Sequence, residues 1–335
     1  LHVRSRRQRQ MCIRDRVRTV AKGFIVGVLG IGLVSTNIKA QEKKVVIGIS
    51  QFAEHPALDA VRKGFEDELK NQGINADIIY KNAQADTGVA GLIAQKFVSD
   101  KVDLIFAIAT ISAQTAKQAT KDIPILFSAV TDPVYSQLVD SMENVGGNIT
   151  GTTDATPMDK QLALFKELNP NIKKIGIIYN TSESNSEIQI DQAKKEAQKL
   201  GLEIVPVGVN NINDIPQAMS SLSKKSDAFY GITDNIVASS IGLISKTVNK
   251  QNMLSIGAEE AHVKGGMLMT NGLSYYELGK QTGLMAKKIL VDGIKPQDIP
   301  VESSKVTKKV VNEKIMNKLK IEKNNSAFEG AEFIK

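Results

Sequence analysis

Few side chains in this 335-residue sequence could do acid–base or nucleophilic chemistry. It holds three His and one Cys, and no G-x-S-x-G elbow, H-E-x-x-H pair or Walker loop. His2 and Cys12 sit in an odd leader, which leaves His55 and His262. His55-Pro56 opens a helix and is read as orienting its loop rather than as a general base. What the chain does carry is a set of short polar loops, each placed directly after an apolar run. In the first half these are Ser50-Gln51-Phe52-Ala53-Glu54-His55, Ala109-Thr110-Ile111-Ser112 and Ser128-Ala129-Val130-Thr131-Asp132-Pro133. Small hydroxyls opening a helix stand beside free N–H groups and a positive dipole end, which suit a carboxylate or phosphate; plain N-capping is the alternative. In the second half the loops are Asn180-Thr181-Ser182-Glu183-Ser184-Asn185, Thr233-Asp234-Asn235 and Gly257-Ala258-Glu259-Glu260. A neutral hydroxyl on one wall and a carboxylate on the other would suit a zwitterion. Its carboxylate would meet Thr110 and Ser112 and its ammonium Asp234, although Asp234 could equally be a helix cap. No Arg is available to either wall, which disfavours phosphates and dicarboxylates. Trp is absent, a mark against a sugar binder, while Phe52, Tyr135 and Tyr179 could wall a side-chain pocket.

The elements that must position these loops alternate between strand and helix. Apolar runs at Val45–Ile49, Leu104–Ala109, Ile123–Phe127, Ile175–Tyr179, Ile204–Val207, Ala228–Ile232 and Met253–Ile256 lack polar alternation, as parallel strands covered on both faces do. Leu58, Val61, Phe65 and Leu69 share one helical face, closed by Gly73. The pattern is written twice. Ile47-Gly48-Ile49 and Ile175-Gly176-Ile177 are followed at equal spacing by Gly73 and Gly201, and the strand opened by Asp103 aligns with that opened by Asp227. The expected fold class is therefore α/β, two Rossmann-like lobes with parallel sheets. The site belongs in the cleft where the strand carboxyl ends meet. Crossings are expected at Gly146–Thr153, at Thr270–Ser274 and after Asp298–Ser303. This gives an N-lobe of 44–151 plus 272–302, a C-lobe of 152–271 plus 303–322, and a frayed tail, 323–335. The Lys-rich stretch from Lys305 to Lys323 reads as a solvated helix face.

Charge excludes one class of partner. Seven Arg and Asp15 fall within residues 1–18, and Lys22 and Lys39 are the only other charges before residue 41. The body, 41–335, is left with 34 basic and 35 acidic groups and a single Arg, Arg62. A nucleic-acid surface is usually an Arg-rich basic stripe, so none is expected. Met11–Arg16 read MCIRDR, which resembles a translated sequencing-library transposon end, so residues 1–16 are expected to be non-native. Residues 17–40 then read as a signal peptide: a basic start, an apolar stretch from Gly23 to Ser35 too short to span a membrane, and cleavage near Ala40. The body has no cysteine, hence no disulfide, thiolate metal site or lipidation cysteine. An exported, periplasmic protein is expected.

Several of these segments together resemble one family. They are Gln51-Phe-Ala-Glu54-His55-Pro56-Ala57-Leu58-Asp59, Gly64-Phe65, Ala109-Thr110, Ala113-Gln114, Thr131-Asp132-Pro133 and Gly146-Gly147-Asn148-Ile149-Thr150-Gly151. The chain from about Lys44 to Glu322 resembles the ABC transporter substrate-binding proteins that include tryptophan- and tyrosine-binding members. The resemblance implies a type I periplasmic-binding fold with three crossings, no enzymatic activity, no cofactor or metal, and a monomer that delivers its ligand to a permease. It implies an aromatic or other apolar L-amino acid as ligand; a nucleoside or other neutral polar molecule on the same fold is the alternative. It also implies that the Thr110 loop, the Asp234-Asn235 pair and Ser182-Glu183-Ser184-Asn185 contact the ligand. The full expected set is Gln51, Phe52, His55, Thr110, Ile111, Ser112, Ser128, Thr131, Asp132, Ser182, Glu183, Asn185, Asp234, Asn235 and Glu259.

Overall fold

The computed structural model describes residues 44–335. The expected leader, signal peptide and cleavage site lie outside the described residues. The first lobe begins β1 (Val45–Gln51), α1 (Pro56–Asn71), β2 (Ala76–Asn82), α2 (Thr87–Ser99), β3 (Leu104–Ile108), α3 (Thr110–Ala119), β4 (Ile125–Val130) and β5 (Ile149–Thr153). The second runs α4 (Met158–Leu168), β6 (Lys174–Asn180), α5 (Ser184–Lys199), β7 (Glu203–Val209), α6 (Ile215–Leu222), β8 (Ala228–Gly231), α7 (Asn235–Ser239), α8 (Ile241–Lys250), β9 (Leu254–Glu259), α9 (Glu260–Lys264) and β10 (Met269–Leu273). The chain returns to the first lobe for α10 (Tyr275–Leu290) and β11 (Glu302–Ser303). It ends in the second with β12 (Thr307–Asn312), α11 (Glu313–Lys318) and β13 (Glu332–Ile334).

Six strands form the first sheet, in the order β11-β5-β4-β3-β1-β2, all parallel. Seven form the second, β13-β12-β10-β9-β8-β6-β7, where only the β10–β12 pair is antiparallel. Each lobe has its own apolar interior. One core gathers Ile47, Phe65, Phe106 and Phe127 under α1 and α10, with Phe65 and Phe106 stacked. Two more flank the second sheet around Phe165 and Tyr230, and around Met219 and Phe229. The repeat has a shared local chemistry. Asp103 accepts from the N–H of Val46, and Asp227 from those of Lys173 and Lys174, so each aspartate ties the start of one strand to the start of its neighbour. Gly73 and Gly201 both take positive φ, +69° and +64°, where a side chain would be strained.

The structure corrects the sequence reading at three segments. Gly146–Thr153 is not simply a linker, because Ile149–Thr153 is strand β5, and the chain changes sheet after Thr153. Gly151 packs there against the Phe127 carbonyl, only 2.0 Å from where a Cβ would stand. The Lys-rich stretch opens as strand β12 before its short helix α11. The tail is not frayed: β13 pairs in parallel with β12, and Phe333 packs edge-on against Phe328.

Candidate ligand-binding site

The carboxyl ends of the two sheets face one another across a narrow cavity. The first lobe supplies His55 from the β1–α1 loop, Thr110 from the start of α3, Thr131 after β4, Asp154 after β5 and Tyr275 at the start of α10. The second supplies Asn185 from the first turn of α5, Asp234 and Asn235 from the start of α7, and Glu259 at the end of β9. Two cavity residues, Ala109 and Ala129, hold φ of +80° and +57°. Left-handed backbone costs an L-residue roughly 1–2 kcal/mol, so the strand ends that turn the first-lobe loops into the cleft are strained.

Two hydrogen bonds close the lobes on each other. His55 Nε2 lies 3.1 Å from Asn235 Oδ1, and the Thr131 and Thr233 hydroxyls lie 3.3 Å apart. Hydrogen-bond accounting then separates atoms that hold the wall from atoms that face the cavity. Asp234 is fully used by its own lobe. Its Oδ2 accepts from the Asn180 N–H at 2.6 Å and the Ser186 hydroxyl at 2.7 Å, and its Oδ1 from the Val237 N–H at 2.9 Å, as a cap of α7. By contrast, four buried polar atoms of cavity residues have no hydrogen-bond partner among the described residues: His55 Nδ1, Thr110 Oγ1, Asp154 Oδ1 and Asn185 Oδ1. The other Asp154 oxygen accepts from Tyr275 Oη at 2.6 Å, and the Thr131 hydroxyl is close by. Buried polar groups without partners are uncommon and costly.

The electrostatics follow from burial. Asp154, Asp234 and Glu259 line the cavity, and no Lys or Arg does. Desolvation raises the Asp154 carboxyl above its ordinary range. Glu259 is pushed up to about 8 by burial and then by the charge of Asp154. Behind the wall, Glu183 is raised to about 7 by burial and then by Asp234. Burial lowers His55, and holds His262, 3.3 Å from Glu259, down at about 3. Among the described residues no cluster of His, Cys, Asp and Glu is arranged to hold a metal.

The structure brings seven of the expected residues to the cavity wall: His55, Thr110, Thr131, Asn185, Asp234, Asn235 and Glu259. Phe52, Ile111 and Ser182 line an adjoining groove that shares Asn235 with the cavity. The remaining five face neither space. Gln51 braces its loop through Ala53, Asp59 and Arg62. Ser112 accepts from Ser50, and Ser128 pairs with Thr152 inside the first lobe. Asp132 caps the turn at Val134 and Tyr135. Glu183 stands behind the wall, bonded to Asn180, Asn185 and Asn235. Sequence reasoning missed Asp154 and Tyr275. The available signal was a carboxylate one residue past Thr153, the strand-end position that drew attention to the other loops.

The family model described as ABC transporter substrate binding protein matches residues 46–333. The chain is 44% identical over 317 residues to the tyrosine-binding protein of Clostridioides difficile (strain R20291), over 90% of this chain and 92% of that one. It is similar to an ABC domain from Streptococcus pneumonia in complex with L-Trp, at 34% identity and a TM-score of 0.82 over 86% of this chain and 100% of the other. It is also similar to the ligand-free, open structure of a substrate-binding protein with adhesive properties from Clostridium difficile, at 46% identity and a TM-score of 0.68 over 87% and 99%. Identity and structural score run in opposite order for these two structures. The two α/β lobes have the type I periplasmic-binding fold, and the chain belongs to the ABC transporter substrate-binding protein family.

Proposed function

We propose that this protein is an exported, non-enzymatic receptor that closes on an aromatic L-amino acid and passes it, as a monomer, to an ABC permease. The observation that carries the reading is Asp154: a buried carboxylate with one oxygen unpartnered among the described residues, beside Glu259, in a cavity lined by no Lys or Arg. Such a cavity calls for a ligand that brings its own positive charge. The ammonium sits at Asp154, with Asn185 Oδ1 as a second acceptor. The carboxylate meets the Thr110 hydroxyl and the start of α3. Asp234, whose oxygens are already engaged, shapes the wall instead. The groove that meets the cavity at Asn235, walled by Phe52, Ile111 and Ile236, takes the side chain. A tyrosine-binding relative at 44% identity and a relative solved with L-Trp support the aromatic choice.

A thermal-shift scan of L-amino acids against a nucleoside set tests the reading. A ligand at about 100 times its Kd adds roughly 2.7 kcal/mol to stability, so L-Tyr or L-Trp should raise the melting midpoint and nucleosides should leave it in place. A shift with nucleosides alone removes the ammonium assignment.

A further inference from the structure

Glu183 is 1% exposed and does not line the cavity, yet it touches two residues that do. Its Oε1 accepts from Asn180 Nδ2 at 2.8 Å, and its Oε2 from Asn185 Nδ2 at 3.2 Å and Asn235 Nδ2 at 2.5 Å. Ionised above about pH 7, Glu183 offers these amides only acceptors, so each turns its nitrogen toward Glu183 and its oxygen away, Asn185 with the Thr233 carbonyl as a further acceptor at 3.4 Å. The three oxygens then have fixed fates. Asn180 Oδ1 accepts from the Ser182 N–H at 3.0 Å. Asn235 Oδ1 faces His55 Nε2 at 3.1 Å across the cleft. Asn185 Oδ1 is left buried without a partner among the described residues. Because an amide oxygen only accepts, His55 must carry its proton on Nε2, and in the neutral ring Nδ1 becomes a lone pair. That nitrogen too is buried and unpartnered.

We infer that Glu183 is a positioning residue: through Asn185 and Asn235 it makes the wall present acceptors, Asn185 Oδ1 and His55 Nδ1, and so sets the site's preference for an amine-bearing ligand. The inference rests on the amino-acid reading above and names what enforces it. With Asp154 Oδ1, these atoms make three acceptors, the number of N–H bonds an ammonium offers. An amide at position 183 would face its neighbours with a donor as well as an acceptor. Where that donor faces Asn185 and Asn235, these amides turn over and present nitrogen to the ligand and to His55; where it faces Asn180, that amide turns over against the Ser182 N–H instead.

The test compares L-tyrosine with 3-(4-hydroxyphenyl)propanoate, which lacks only the amine. Glu183→Gln should weaken L-tyrosine at least tenfold while leaving the amine-free acid within about twofold, and Glu183→Asp, which keeps an acceptor-only group, should recover part of the loss. Equal weakening of both ligands, or none, overturns the inference. Nitrogen-15 NMR of the wild-type protein at pH 7.5 reads the other half without any variant: His55 should carry its proton on Nε2, and a proton on Nδ1 overturns the inference even if Glu183→Gln does not fold. Failure of the wild-type protein to bind L-tyrosine, with His55 still protonated on Nε2, would instead sink the amino-acid reading and leave the hydrogen-bond chain standing.

Discussion

Asp154 and Asp234 are both buried aspartates at the carboxyl end of a strand, and they should fail in opposite ways when removed. Asp234→Ala strips acceptors from Asn180, Ser186 and Val237. Its cost should fall on the ligand-free protein, about 1–3 kcal/mol of stability by denaturant melting. Asp154→Ala gives up hydrogen bonds from Tyr275 and Thr131 and relieves a buried acid. The free protein should be no less stable, while L-tyrosine affinity falls by about 2–4 kcal/mol in calorimetry. Asp154 and Glu259 tie binding to pH. Burial holds Glu259 at about 8, and Asp154 is raised as well, so between their ordinary carboxylate values and about 8 the folded protein binds more protons than the unfolded chain. Ligand-free stability therefore declines as pH rises through that window. An ammonium beside them favours the ionised forms, so binding should release protons and tighten from about pH 5 to pH 8. Calorimetry in two buffers of unlike ionisation heat measures the release; a pH-independent affinity would count against Asp154 and Glu259 as the ammonium site.

The elements were legible in the sequence to the degree that burial makes them apolar. All seven strands read from aliphatic runs are present; six are interior strands, which covered on both faces have little room for polar residues, and the seventh, β7, is an edge strand that is aliphatic all the same. Those that escaped have a physical reason to look different. β2 and β13 are edge strands with half-exposed residues, β12 carries Lys308 and Lys309 outward, and β5 is Ile-Thr-Gly-Thr-Thr, whose threonines bond inward instead of packing as hydrocarbon. Thr150 donates to the Ile299 carbonyl, and the Thr152 hydroxyl links those of Ser128 and Thr282. Because β5 was read as a linker, the carboxylate at its end was overlooked, and half of the charge logic of the site went with it. The contact between α1 and α10 was equally silent in the sequence. Gly64 and Gly279 let these helices touch: a Cβ at either would stand 2.0 Å from a backbone carbonyl oxygen of the other helix, that of Tyr276 or Val61. Gly279→Ala should destabilise by about 1–3 kcal/mol. Gly242→Ala on α8, where a Cβ meets nothing within 4 Å, should be neutral or stabilising by up to about 1 kcal/mol. Chemical denaturation of the two variants decides it.

At the scale of the whole molecule, closure is held by little. Among the described residues, the side-chain hydrogen bonds that join the cleft walls are those from His55 to Asn235 and from Thr131 to Thr233, each worth about 1 kcal/mol net. They cannot outweigh the desolvation of three carboxylates in an unfilled cleft. The ligand-free protein should therefore be open in solution. Small-angle scattering should give a radius of gyration near the compact value of about 19 Å with L-tyrosine present and a larger one without it. Equal values would mean the lobes stay closed unaided.

The separate apolar cores of the two lobes have a consequence for how the molecule comes apart. Leu273, at the end of β10, is the one residue of the second sheet that joins the first lobe's core, so cooperativity between the lobes depends largely on the three connecting segments and on whatever bridges the gap. Cargo that touches both walls then becomes part of the folding unit. A cell that starves this receptor of its ligand leaves two loosely yoked half-proteins for proteases to find, and one that feeds it holds a single, jointly melting body.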